Sequence, residues 1–112
     1  MEINVDRQDK VAIAEIPVEE LDASNAGELK RDMAPILEAN TRLVIDLTRL
    51  RFVDSSGLGA MLSCLRHVSA KGGDLKLCGL SRQVRAAFEL VRMHRIFDIF
   101  TTREEAVRAF QP

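Results

Sequence analysis

Phe52-Val53-Asp54-Ser55-Ser56-Gly57-Leu58-Gly59 places a hydroxyl pair between an apolar run and an apolar-periodic stretch. Upstream, Leu43-Val44-Ile45-Asp46-Leu47 is short, apolar and partly β-branched, the pattern of a buried strand. Downstream, Leu58, Met61, Leu62, Leu65 and Val68 recur at spacings of three and four, the pattern of one helical face against a core. Ser55 therefore falls where a strand has ended and a helix begins. A helix start leaves backbone N–H groups unpaired and carries partial positive charge. A serine there can cap the helix, and a phosphate attached to it is tolerated or favoured.

The rest of the chain supplies support for this stretch. Ile3–Val5 and Val11–Ile16 read as a hairpin joined by the polar turn 6–10, with Val11 and Ile13 on one face and Ala12, Ala14 and Ile16 on the other. Pro17 cannot donate to a ladder, so the second strand stops there or runs along an edge. Asp22 or Ser24 can cap a helix running to Ala39 on the apolar stripe Leu29, Met33, Ile36 and Leu37, with a kink or weakened turn expected at Pro35. The helix after Ser55 should close at Lys71-Gly72-Gly73, where glycine accepts left-handed backbone. A strand over Asp74–Cys78 follows, then a helix from Arg82 to about Arg92 capped by Ser81. A short strand over Ile96–Phe100 comes next, then a helix Arg103–Phe110 opened by a capping box of Thr102 and Glu105. This order implies an α/β fold with a mixed sheet of four to five strands and helices packed on it: a hairpin, then two βαβ crossovers. The Asp54–Gly59 loop would lie at the carboxyl edge of the sheet, where open α/β folds usually bind.

At 112 residues the chain suits one domain, 1–112, with one core. Hydrophobic residues at 46% and charged residues at 29% are those of a globular protein rather than a disordered one. Sixteen basic against 17 acidic side chains give no global electrostatic case for direct nucleic-acid or membrane binding. Arg82, Arg85, Arg92 and Arg95 could make a local basic edge, although a solvated helix face is the simpler account. With neither an apolar span nor a signal-like start, a cytoplasmic location is expected. Cys64 and Cys78 have no metal-ligand spacing and read as buried thiols.

Three chemistries are open to the Ser55 loop. Nucleophilic catalysis needs a base, but His67 lies twelve residues farther along the same helix, roughly 18 Å at 1.5 Å per residue. Phosphate cradling by Gly57 and Gly59 lacks the lysine and spacing of the phosphate-binding motifs. The third makes Ser55 a substrate. Two glycines in a first turn each cost about 1 kcal/mol against alanine, and the bare surface they leave suits an approaching enzyme. Phosphorylation would add a charge of about −1.5 to −2 beside Asp54. On pattern alone, a plain capping serine and a phosphoacceptor stand level.

Asp54-Ser55-Ser56-Gly57-Leu58-Gly59 resembles the phosphorylation loop of bacterial anti-sigma factor antagonists, the STAS-domain family. Glu20-Leu21-Asp22, the Leu43–Leu47 strand, Lys71-Gly72-Gly73 and the segment from Leu80-Ser81 through Val84 and Phe88 to Ile96-Phe97 are similar to family stretches in the same order. The resemblance implies a single STAS domain in which Ser55, directly after the aspartate, is the phosphoacceptor. It implies a partner switch: the unphosphorylated protein binds a serine-kinase anti-sigma factor, phosphorylation releases it, and a serine phosphatase resets it. ATP and Mg²⁺ would belong to the kinase, so this chain would be neither an enzyme nor a cofactor carrier. Partner contacts are implied for Asp22, Ala23, Ser24, Asp54, Ser55, Ser56, Gly57, Leu58 and Gly59, in a monomer or weak dimer. Glu20 stands where many members have glycine, so that loop would be shaped differently. The rival is a non-switching STAS subunit of a transporter complex or signalling scaffold, in which Ser55 is a cap and nothing more.

Overall fold

Asp9 and Lys10 both adopt left-handed backbone, φ 51° and 68°. Together they form the two-residue turn that folds Asn4–Gln8 (β1) back on Val11–Glu15 (β2), with Gln8 opposite Val11. The hairpin turn is thus shorter than the expected 6–10 segment. β1 is an edge strand with mostly exposed side chains, so Asp6 and Arg7 continue the ladder at little cost. The computed structural model describes residues 1–111, so Pro112 of the expected domain lies outside the described residues.

The chain continues through β3 (Glu20–Leu21), α1 (Ala26–Ala39), β4 (Arg42–Asp46), β5 (Phe52–Val53) and α2 (Ser55–Ala70). It ends with β6 (Asp74–Cys78), α3 (Arg82–Leu90), a 3₁₀ turn at Met93–Arg95, β7 (Asp98–Phe100) and α4 (Arg103–Arg108). The main sheet has five strands in the order β1-β2-β4-β6-β7. Among the described residues only the β1–β2 pair is antiparallel. There are three successive βαβ crossovers rather than the expected two, because β7 also joins β6 in parallel through α3.

Strand alternation sorts two cores. Ala12 and Ala14 of β2, Leu43 and Ile45 of β4, and Leu75 and Leu77 of β6 face a large cluster with Leu29 and Met33 of α1, Met61 and Cys64 of α2, and Val84 and Phe88 of α3. Val11, Ile13, Val44 and Cys78 face the opposite side and pack under Ala106 and Val107 of α4. Lys76 also points to that side. It is buried, paired with Asp98 at 2.8 Å and Asp74 at 3.1 Å, and lies 4.7 Å from the Phe110 ring centre.

Helix ends follow local chemistry. Helix α1 runs unbroken through Ala39 with Pro35 inside it on an exposed position. The end of α2 is a Schellman motif: Gly73 N–H donates to Val68 C=O, Gly72 N–H donates to Ser69 C=O, and Gly72 takes φ +81°. Ser81 caps α3 through the Val84 N–H, and Thr102 with Glu105 forms the capping box of α4. Helix α3 is shorter than expected, because Arg92 adopts left-handed backbone and turns the chain into the 3₁₀ segment.

Candidate functional site around Ser55

Asp54, not Ser55, caps α2. Its backbone is extended, and its Oδ1 accepts from the Gly57 N–H at 3.0 Å. This satisfies the third helical amide, the one a capping side chain reaches best. Ser55 is consequently the first helical residue, where its hydroxyl is released from capping and exposed to solvent. The reading of Ser55 itself as the cap is corrected by one position. The Ser55 and Ser56 N–H groups donate to no partner among the described residues, as expected for a helix start.

The second stretch implied in partner binding is brought against the first by a small parallel sheet. Glu20 pairs with Phe52 and Leu21 with Val53, making a two-stranded sheet separate from the main one. The Asp54 N–H continues this ladder to Leu21 C=O at 3.2 Å. The other oxygen of the Asp54 carboxylate accepts from the Ala23 N–H at 3.3 Å. Asp54 is thus both a helix cap and a clamp on the Asp22–Ser24 turn.

That turn locks itself. Asp22 Oδ1 accepts from the Ser24 N–H at 2.9 Å and from the Ser24 hydroxyl, whose bond is the leading cause holding the Asp22 carboxyl below its ordinary value. Asn25 accepts from the Asp22 N–H at 2.9 Å and donates to Glu20 C=O at 2.8 Å. Neither Asp22 nor Ser24 caps α1; Asn25 occupies the cap position, and the other two close the turn before it. The role of Asn25 was missed. Its signal is the run Asp22-Ala23-Ser24-Asn25, three side chains that bond their own backbone in turns.

The two glycines of the loop are different in kind. A Cβ on Gly57 would lie 2.5 Å from Leu21 O and 2.6 Å from Val53 Cγ2, so Gly57 is where the β3–β5 sheet meets the helix. A Cβ on Gly59 would meet nothing within 4 Å, and its φ is not in the left-handed region. Gly57 and Leu58 are buried beneath the loop, while Ser55, Ser56, Gly59, Ala23 and Ser24 form its exposed face. His67 lies on the same helix as Ser55 and pairs with Glu38 of α1, too far along to serve as a base.

Behind the loop, buried Asp46 ties the sheet edge to α4. Burial pushes its carboxyl up, but bonds from Thr48 and Arg103 outweigh this and hold it below its ordinary value. Burial also pushes the Cys64 thiol up to about 11 and the Cys78 thiol to about 12, which leaves both as inert core groups. Among the described residues no three His, Cys, Asp or Glu side chains gather as a metal site, and no helix is long and apolar enough to cross a membrane.

The capped start of α2 and the self-locked Asp22–Ser24 turn thus lie side by side in an open α/β module. The chain belongs to the STAS domain family, whose sequence model matches residues 2–106. The anti-sigma-B factor antagonist of Bacillus subtilis is 32% identical over 109 residues, covering 96% of this chain and all of that protein. BtrV of Bordetella bronchiseptica, a candidate anti-sigma factor antagonist, is 31% identical over 112 residues, covering 99% of this chain and 96% of its own. The crystal structure of a candidate anti-sigma factor antagonist from Thermotoga maritima superimposes with a TM-score of 0.89 at 25% identity, over 98% of this chain and 95% of that one.

Proposed function

We propose that this chain is an anti-sigma factor antagonist that acts as a phosphorylation-controlled partner switch in the cytoplasm, without catalytic activity of its own. Unphosphorylated, it binds a serine-kinase anti-sigma factor through Ala23, Ser24, Ser55, Ser56 and Gly59, with Asp22, Asp54, Gly57 and Leu58 holding that face in place. Phosphorylation of Ser55 ends the complex, and a serine phosphatase restores it. The relatives named above supply the class of function. The observation that carries the residue assignment is that Asp54 takes the capping role, which leaves the Ser55 hydroxyl exposed and unneeded by the fold.

The chemistry of such a switch follows from the geometry. A kinase would transfer the γ-phosphoryl group of ATP to the Ser55 oxygen, and the hydroxyl proton would leave to a base of the kinase. The product carries roughly two negative charges at the positive end of α2, where the helix dipole offsets part of their cost to the fold. The same charges stand next to Asp54 and beside the Asp22 turn, so the face presented to a partner becomes strongly anionic. A surface shaped for the neutral serine loses its complement.

The test is incubation with the cognate anti-sigma kinase, ATP and Mg²⁺, with the phosphate mapped by mass spectrometry. Modification at Ser55 and at least tenfold weaker kinase binding by Ser55→Asp are expected. Phosphate elsewhere, or equal binding by wild type and Ser55→Asp, overturns the proposal. Stable co-purification with a membrane transporter, and with no ATPase of the kinase class, would favour the structural-subunit alternative.

A further inference from the structure

A buried carboxylate stands at the root of the segment that carries Ser55. Asp46, the last residue of β4, is 4% exposed. Its Oδ1 accepts from the Thr48 N–H at 2.9 Å and from the Thr48 hydroxyl, so the side chain closes a turn on the backbone two residues ahead. Its Oδ2 accepts from Arg103 Nε of α4 at 2.5 Å, and the same guanidinium reaches Glu15 at the end of β2 at 3.2 Å. Gly79, at φ +75°, closes the other side: a Cβ there would stand 2.3 Å from Thr48 Oγ1 and 3.1 Å from Asp46 Oδ1. Thr48 as a residue is exposed, yet its hydroxyl is held between the Asp46 carboxylate and the Gly79 backbone. A buried ion pair is poor evidence of stability, since apolar groups of similar volume often serve as well. What this carboxylate does that an apolar group cannot is fix the Thr48 N–H and hydroxyl at once, and with them the direction in which the chain leaves the sheet.

From that turn to Ser55 the chain is an arm with little slack. The Leu47 N–H donates to Cys78 C=O at 2.9 Å and the Leu50 N–H to Leu47 C=O at 3.0 Å, and both leucine side chains are fully buried. The Arg51 and Phe52 N–H groups both donate to Glu19 C=O, at 2.7 and 3.1 Å. Phe52 and Val53 then pair with Glu20 and Leu21, and the Asp54 N–H ends the ladder on Leu21 C=O. One end of the arm is thus anchored to the main sheet and α4 through Asp46, and the other to the Asp22–Ser24 turn through Asp54. A shift at Thr48 is carried along to β5 and the Asp54 clamp, because few residues between them are free to absorb it.

We propose that Asp46 and Thr48 are positioning residues of the Ser55 site, with Arg103 of α4 as the charge that holds Asp46 in place. Together they set the arm so that the Ser55 loop and the Asp22–Ser24 turn meet a kinase as one preformed surface. The use of that surface by a kinase rests on the proposed function; the setting of the arm does not. These residues act on the fraction of molecules whose loop is in place, and not on the transfer itself. A partner that requires the loop in place binds with an apparent affinity reduced by that fraction. Loss of the turn therefore raises KM for phosphorylation and spares kcat, since every bound molecule reacts from the same geometry. A variant that is only less stable, but folded at the assay temperature, presents the same loop and keeps its KM.

The test is phosphorylation of the full chain by the cognate anti-sigma kinase with ATP and Mg²⁺, read as KM and kcat for the protein substrate. Beside it, hydrogen exchange is followed at Ala23 and Asp54, whose N–H groups report the clamp and the end of the β3–β5 ladder. Thr48→Val, which keeps the shape and loses the donor, should raise KM at least fivefold, leave kcat within twofold, and quicken exchange at both amides several-fold. Thr48→Ser, which keeps the hydroxyl, should match the wild type. Arg103→Met, a change on the far side of Asp46, should raise KM at least twofold. Thermal melts establish that each variant is folded at the assay temperature, and if the Arg103 variant is not, the Thr48 pair decides. Wild-type KM and exchange in Thr48→Val overturns the proposal, as does an equal change in Thr48→Ser. A raised KM in Thr48→Val with wild-type exchange at Ala23 overturns it in favour of direct contact between Thr48 and the kinase. A fall in kcat at unchanged KM overturns it as well. If the wild type is not phosphorylated at Ser55, the proposed function falls, and exchange at Ala23 alone decides whether the turn sets the loop.

Discussion

Gly57 and Gly59 sit two residues apart on the same helix turn, and the same substitution should move stability in opposite directions. Replacing either by alanine removes backbone freedom from the unfolded chain and supplies a better helix former, a gain of about 1 kcal/mol where space allows. At Gly59 space allows it, since the added Cβ meets nothing within 4 Å. At Gly57 the Cβ would stand 2.5 Å from the Leu21 carbonyl oxygen and 2.6 Å from Val53 Cγ2. The carbonyl belongs to a backbone held in the β3–β5 sheet, so no rotamer change relieves the contact. Overpacking of this kind costs about 1–3 kcal/mol. Because the obstruction is backbone, the upper part of that range applies, and Gly57→Ala should lose about 1–2 kcal/mol net of the helix gain. At about 4 °C per kcal/mol for a domain of this length, Tm should fall by roughly 4–8 °C for Gly57→Ala and rise by as much as about 4 °C for Gly59→Ala. Differential scanning calorimetry of the two variants beside the wild type reads both shifts. A Gly57→Ala protein as stable as the wild type would refute the argument that this glycine is the seat of the β3–β5 sheet. If the exposed face is a kinase surface, Gly59→Ala should also lose kinase affinity while gaining stability.

Three further expectations follow from named contacts. Asn is as good a helix cap as Asp, so Asp54→Asn should leave the stability of α2 within about 0.5 kcal/mol. Its amide nitrogen cannot accept from the Ala23 N–H, so hydrogen exchange at Ala23 should quicken several-fold, and unchanged protection there would show that Asp54 is no clamp. Asp46 has its folded pKa held below its ordinary value of 3.8. Its contribution is therefore complete above that value and is lost as pH falls through the lower folded value. Urea midpoints of wild type should drop over this acid window more steeply than those of Asp46→Asn, and parallel slopes would remove Asp46 from the acid sensitivity. Ser55→Asp places a negative charge at the start of α2, where the dipole is worth about 0.3–1 kcal/mol, against repulsion from Asp54 of similar size. Stability should change by less than about 1 kcal/mol, and unfolding of the variant in a thermal melt would contradict a switch that operates at the surface alone.

Much of this was legible in the residues because its causes are local. The Ser81 cap, the Thr102–Glu105 box and the Lys71-Gly72-Gly73 stop each depend on side chains and backbone angles within six residues. The central strands β2, β4 and β6 announce themselves by apolar residues, and the hairpin by its polar break. Where the reading slipped, a neighbour in space had intervened. Ser55 looked like the cap because serine caps helices, but Asp54 had an equal claim, and the extended exit from β5 set the helix start one residue earlier. Asp22 and Ser24 looked like caps for α1, but they bond each other, and Asn25 takes the position. A strand within Ile96–Phe100 was legible, but its parallel pairing with β6, which makes the third crossover, is not written in a strand of three residues.

The β3–β5 sheet shows the limit more sharply. Two residues against two carry no periodicity, and their pairing spans about thirty positions of sequence. Yet this pairing sets the Asp22 turn beside the Ser55 loop and explains why one of two glycines is indispensable. In the sequence Gly57 and Gly59 support one argument together, that a first turn with two glycines has been left bare for a partner. In the fold the argument divides: Gly57 answers to Leu21 and Val53, and only Gly59 is left without a structural reason. The case for an approaching enzyme therefore rests on one glycine rather than two, together with a serine that the neighbouring aspartate has freed from capping. That is a narrower basis than the motif suggested, but each part of it can be changed without disturbing the other.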